Sequence, residues 1–167
     1  MGFPFYVVII VAIVIAGLAV IVGVTDNRHT VGVLFASYII AVLIITLLVR
    51  TYDIEVKTLL NPFSKYEWLA RGFVKDGWKC FSKNERMITE ILLNILLFVP
   101  LGFLVPTLQD SFRRLWKVLL LGLGFSLFIE SSQLVLHMGC FDTADLIHNT
   151  LGACLGYLVW RKVIDRE

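Results

Sequence analysis

Long apolar runs with little or no charge divide the chain. The first extends over residues 3–24 and the second over residues 31–49, and neither holds a charged side chain. A third run, 87–108, has Glu90 as its single charged residue. A fourth, 116–136, has Glu130 as its one acid, and a fifth runs from about residue 145 to 163, closing on Arg161 and Lys162. A hydrocarbon layer about 30 Å thick is crossed by about 20 apolar residues in a helix. The pattern therefore predicts five membrane-crossing helices. The first run is longer than the core of a secretory signal and has no basic residues before it, so it reads as a retained helix.

One long connection separates the second and third runs, residues 50–87. Within it, residues 66–81 show helical periodicity. Tyr66, Leu69, Phe73, Val74, Trp78 and Phe81 fall near one face, and Glu67, Arg71, Lys75 and Lys79 near the other. An aromatic stripe of this kind suits a helix lying in the membrane interface. Gly72 and Gly77 weaken it as a helix, and an irregular polar loop with its aromatic side chains packed on the spans is the alternative.

Composition agrees with the runs. Hydrophobic residues make up 58% of the chain and charged residues 17%, and the mean hydropathy is +0.84. An average soluble domain is about 45–50% apolar and about 25% charged, so a water-soluble globule is excluded. The net charge of +2 is too balanced for a nucleic-acid partner. The three cysteines, at 80, 140 and 154, match no zinc or CxxC spacing. No cofactor and no resident metal are expected. The first partner is the lipid bilayer itself.

Basic residues orient the bundle. Arg28, Arg113, Arg114, Lys117, Arg161, Lys162 and Arg166 lie in short segments that five antiparallel spans place on one side. The opposite side has the amino terminus, a 137–144 loop without Lys or Arg, and the long connection, whose eight basic residues are diluted by five acids. Short segments decide orientation. The amino terminus and long loop are therefore expected outside and the carboxyl terminus in the cytoplasm. Cys80 and Cys140 both fall on the outer side, where a bridge is chemically allowed, although spacing cannot supply its geometry.

The polar residues inside the spans are not scattered. Arg86, Glu90 and Asn94 repeat at i, i+4, i+8; Ser126, Glu130, Gln133 and His137 follow i, i+4, i+7, i+11; and Asp142 precedes the stripe of Asp145, Asn149, Gly152 and Gly156. Each set lies on one helix face. Antiparallel connectivity brings the acids and amides of all three helices to one level, the outer boundary. Ionisable groups cost at least ~2.5 kcal/mol each at the bilayer centre and commonly mark function. Such a cluster can accept hydrogen bonds from hydroxyls or amines, bind a cation through oxygens, pair with Arg86, or transfer protons. The alternative is a set of interhelical hydrogen bonds holding the bundle together. His148, beside this stripe, reads as a packing residue ahead of a base. Pro100 removes a donor and frees the carbonyl of Leu96, predicting a kink. Gly152 and Gly156 form a small-xxx-small pattern for close helix approach.

Four elements carry a family resemblance. Asn94-Ile-Leu-Leu-Phe-Val-Pro-Leu-Gly-Phe-Leu-Val-Pro106 is followed by Ser126-Leu-Phe-Ile-Glu-Ser-Ser-Gln133, and then by Phe141-Asp-Thr-Ala-Asp-Leu-Ile-His-Asn-Thr-Leu-Gly-Ala-Cys-Leu-Gly-Tyr157. Leu60-Asn-Pro-Phe63, with Asn61, Pro62 and Phe63, lies ahead of them in the long loop. In order and spacing they resemble the VanZ-like family over about residues 58–162. The chain then divides into 1–57, two helices and the start of the loop; 58–162, the VanZ-like region with Pro100 and Gly102 as its kink and packing positions; and a 163–167 tail. The resemblance implies a bacterial cytoplasmic-membrane protein, in a family whose founding member is associated with low-level resistance to teicoplanin-type lipoglycopeptides. Many relatives carry an Arg shortly before the aspartates. Here the stretch is His137-Met-Gly-Cys140, so a contact made by that Arg is lost or taken over by Arg86. Ala144 stands where an acid is common in the family.

Two functions follow. The first is an outer-leaflet site, formed from Arg86, Glu90, Asn94, Glu130, Gln133, Asp142, Asp145 and Asn149, that binds or shields an amphiphile: a lipoglycopeptide or a cell-wall lipid intermediate. The second is a membrane-embedded enzyme acting on a lipid-linked head group through carboxylate acid–base chemistry. No HExxH, phosphate loop or nucleophile–base pair is visible in the sequence, which places binding ahead of catalysis.

Overall fold

The structure, a computed structural model, describes residues 14, 17, 22, 27–48, 58–77, 79–137 and 141–164. The predicted first span lies outside these residues except at three positions, as do Trp78, Cys140, Arg166 and the first part of the long connection. Helix α1 is Arg28–Leu43, opened by Asn27, whose Oδ1 accepts from the His29 amide at 2.9 Å. It continues as a π-helical turn over Ile44–Leu48. The strand β1, Thr58–Leu59, is followed by α2, Ser64–Asp76, and α3, Lys79–Lys83. Then come α4, Glu85–Leu108, a 3-10 turn Asp110–Phe112, α5, Leu115–Val135, the strand β2, Phe141–Asp142, and α6, Thr143–Val163.

Three stretches are long and apolar enough to cross a membrane: Arg28–Leu47, Glu85–Leu108 and Leu115–Val135. Helix α6 matches them in length, at 21 residues, but Asp145, His148 and Asn149 at its head lower its apolarity. The described residues thus give three such helices against the five expected from sequence.

Helix α4 is central, packing against α1, α5 and α6. It continues through Pro100 and Pro106, and every position from Pro100 to Pro106 is buried. It touches α6 backbone to backbone. A Cβ on Gly102 would stand 1.9 Å from the Ala153 carbonyl oxygen, one on Gly152 2.1 Å from that of Ile95, and one on Gly156 2.0 Å from that of Val99. The order of these contacts makes α4 and α6 parallel. Without side chains at these positions, dispersion contacts form along the full backbone surface.

The ends of the bundle differ. At one, Arg28 lies 3.7 Å from Asp110, the Tyr157 hydroxyl donates to the Arg113 carbonyl at 2.6 Å, and the Arg113 guanidinium stands over the Trp160 ring. At the other, the long loop returns. Strands β1 and β2 pair in parallel, Thr58 with Phe141 and Leu59 with Asp142, and Thr143 Oγ1 donates to the Leu59 carbonyl at 3.0 Å. Asn61 then turns the chain: its Oδ1 accepts from the Phe63 amide at 3.0 Å, and its carbonyl accepts from Ser64 Oγ at 3.0 Å. With Pro62 inside the turn, the chain enters α2. Residues 64–76 are helical, and Gly77, at φ +57°, ends the helix where a side chain would strain the backbone. Gly72 lies against the buried Cys80, since a Cβ there would meet Sγ at 2.6 Å.

Candidate functional site

The first turn of α2 falls on the head of α6. Lys65 Nζ is 2.6 Å from Asp142 Oδ2 and 3.6 Å from Asp145 Oδ1, and the Lys65 side chain is only 18% exposed. Asp142 is also the N-cap of α6, its Oδ1 accepting from the Ala144 amide at 2.9 Å. Its own amide donates to Glu130 Oε2 at 2.9 Å, so α5 and α6 meet at this level. Tyr66, beside Lys65, is hydrogen-bonded through its hydroxyl to His148 Nε2, and the other ring nitrogen, Nδ1, faces Asp145 Oδ1 at 3.6 Å. Asn149 Nδ2 donates to Ser126 Oγ at 2.8 Å. Glu130, Asp142, Asp145, His148 and Asn149 are all buried, each 5% exposed or less.

The structure thus brings together Glu130, Asp142, Asp145 and Asn149 at one end of the bundle. Gln133, fully buried, also turns outward to α1: its Nε2 donates at 2.9 Å to the carbonyl of Thr46 within the π turn. Widened turns of this type leave carbonyls available for such partners. Arg86 takes a different place from the one expected. It is exposed on the first turn of α4 and forms no ion pair among the described residues. Glu90 is exposed as well, and Asn94 is half-buried. Among the described residues, the cation beside the aspartates is Lys65. Spacing places Arg86, Glu90 and Asn94 on one face, but the glycine contacts turn a neighbouring face, carrying Thr89 and Phe98, into the bundle.

Sequence reasoning passed over Lys65 and Thr89 and assigned Tyr66 only to an aromatic stripe. A loop lysine has the same local pattern as any solvated lysine. The nearest signal was the Asn61-Pro62-Phe63 element, whose turn sets Lys65 and Tyr66 on the first turn of α2. His148 is a packing residue by burial but also joins a chain of polar contacts. Among the described residues, no three of His, Cys, Asp or Glu are grouped so as to hold a metal ion. A surface groove lies lower, between α5 and α6, lined by Leu119, Leu123, Leu146, Ile147 and Leu151 together with Thr150 and Cys154.

Charge explains why the clasp is closed. Burial pushes the Lys65 pKa down, but the charge of Asp145, the hydrogen bond and charge of Asp142 and the charge of Glu90 outweigh it, so the ammonium is held above its ordinary value. Burial raises the Tyr66 phenol as well; Lys65 opposes this, and Asp142 and Asp145 reinforce it. A raised pKa in the folded state adds stability that is complete below the unfolded pKa and lost as pH rises through the folded one. The stability contributed by Lys65 should be constant from about pH 6 to about 9 and fall only above about 10.4, the reference value for lysine. Thermal unfolding of wild-type protein and of Lys65→Met across this range checks it: the two curves should converge only in the alkaline limb. Convergence already below pH 9 would contradict the sign.

The VanZ/LLP1 family model matches residues 35–164, most of the chain, from within α1 to the end of α6. No curated protein and no solved structure matches the chain.

Proposed function

The chain belongs to the VanZ/LLP1 family, and from that membership we propose a membrane protein that binds or shields an amphiphile at its extracytoplasmic boundary. In this reading the long loop lies outside a bacterial cytoplasmic membrane, the carboxyl terminus lies in the cytoplasm, and α6 and the segment before α1 complete five spans. The observation that carries the reading is the layout of α6. Asp142, Asp145 and His148 form a polar cluster at its head, and Leu146, Ile147 and Leu151 line an apolar groove that starts at the same turn. A head group beside the first and a hydrocarbon chain along the second match the two halves of an amphiphile. The loop supports an interfacial position too. Leu60, Phe63, Trp68 and Val74 are exposed, at 70%, 60%, 56% and 88%, beside Arg71 and Lys75, and apolar side chains flanked by cations suit the head-group layer.

Membership is consistent with a glycopeptide-resistance-associated protein, and teicoplanin susceptibility provides the test. Glu130→Gln, Asp142→Asn and Asp145→Asn are each expected to return cells expressing the protein to the susceptibility of cells lacking it. Unchanged resistance at normal protein levels in the membrane would remove the cluster from the mechanism.

A second reading is favoured by one contact series. Asp145, His148 and Tyr66 line up as carboxylate, imidazole and phenol, an arrangement suited to moving a proton at a lipid-linked head group. Purified protein that turns over no lipid-linked cell-wall precursor would exclude it.

A further inference from the structure

The closed cluster already holds a ligand of defined chemistry, the side chain of Lys65. We propose that the head group this site accepts is a primary ammonium, which takes the place of the Lys65 ammonium when the start of α2 lifts from α6. The proposal rests on the head-group reading above and names its ligand class.

Charge is the first argument. Two buried carboxylates, Asp142 and Asp145, hold one ammonium, and the exposed Glu90 adds its charge from farther away. Lifting Lys65 away leaves the Asp142 carboxylate buried and without this ammonium, an unfavourable state. An incoming ammonium restores the same interactions, so the exchange is close to neutral in charge. A phosphate, sulfate or carboxylate would add repulsion, and an uncharged sugar would leave the Asp142 carboxylate uncompensated.

Unused hydrogen-bonding capacity is the second. Thr89 Oγ1 and Asn149 Oδ1 are fully buried and have no hydrogen-bond partner among the described residues. The parallel register, with Ile95 at Gly152, sets Thr89 on α4 level with Asp145 and His148 on α6. A buried acceptor left unpaired is unfavourable. An ammonium carries three N–H donors, of which Asp142 takes one at 2.6 Å. A trimethylammonium group has none, and its methyl groups hold the nitrogen away from carboxylate oxygens. The cage therefore discriminates by donor count as well as by charge.

The test is chemical rescue. Lys65→Ala protein in detergent micelles is titrated with ethylammonium chloride, tetramethylammonium chloride or sodium chloride at equal ionic strength, and thermal unfolding is followed. Ethylammonium is expected to raise the midpoint by several degrees, with saturation, while the other two salts and the wild-type protein give no such shift. Lys65→Gln, which keeps an N–H donor beside Asp142, provides the same readout if the alanine variant does not fold. An equal response to all three salts, or none, overturns the proposal. A second arm separates lipid from soluble amine. Wild-type protein is placed in phosphatidylcholine nanodiscs with and without phosphatidylethanolamine, and amide exchange is measured in α2. Several-fold faster exchange with phosphatidylethanolamine supports a phospholipid source. Rescue in the first arm without a change in the second supports the ammonium cage and assigns its ligand to a different amine. Failed rescue alongside intact susceptibility effects of Glu130→Gln removes the ammonium class and leaves the head-group reading standing.

Discussion

Lys65→Met is expected to lower the unfolding free energy by about 3–5 kcal/mol, the range found when one partner of a buried ion pair is removed. The side chain is 18% exposed and its two carboxylate partners are 7% and 3% exposed, so solvent cannot take over the role of the ammonium. Exposed pairs behave differently. The bridge between Arg71 and Glu67, with side chains 78% and 55% exposed, should contribute less than about 1 kcal/mol. The loss at Lys65 should also be reversible by removing the charges it compensates. Asp142→Asn retains an N-cap side chain, so Lys65→Met combined with Asp142→Asn and Asp145→Asn should recover most of the stability. Unfolding in mixed micelles, for the single and combined variants, gives both numbers. A loss below about 1 kcal/mol for the single variant would mean that the clasp is screened as a surface pair is.

Gly152→Ala and Gly156→Ala should each destabilise the protein by about 3 kcal/mol, the upper end of the range for overpacking. The new methyl carbon would stand 2.1 Å from the Ile95 carbonyl oxygen in the first case and 2.0 Å from that of Val99 in the second. Both obstacles are backbone atoms of a central helix, so no side-chain rotation relieves them. The helices must separate, which weakens the adjacent contact of Gly102 with Ala153 too. Gly124, on α5, is the control: nothing lies within 4 Å of a Cβ built there. Gly124→Ala should be neutral or stabilising by up to about 1 kcal/mol through helix propensity. Equal effects at 124 and 152 would show that packing against α4 is not the determinant.

The three helices that meet the length and apolarity needed to cross a membrane are legible as charge-poor runs, because hydrogen bonding within a helix is local and a run of apolar side chains states its own environment. Their order then places Glu130 beside Asp142, since antiparallel neighbours joined by a short loop share an end. The close glycines of α6 are legible too, because four-residue spacing returns to one face.

The clasp was not legible. Lys65 reaches Asp142 across more than seventy residues, through a two-residue strand pair and an Asn61 turn that no periodicity announces. Nor does a shared face state its direction. Arg86 and Glu90 repeat with helical spacing, yet the rotation of α4 is fixed where Gly102 meets Ala153, and that rotation leaves both residues outside. The sequence by itself determined which segments are apolar enough to be the three long helices and which end of each is polar, properties set by neighbours in the chain. Only the tertiary structure decided which cation neutralises the buried aspartates, because Coulomb energy depends on distance in space, and that distance was set by how the helices and the returning loop pack.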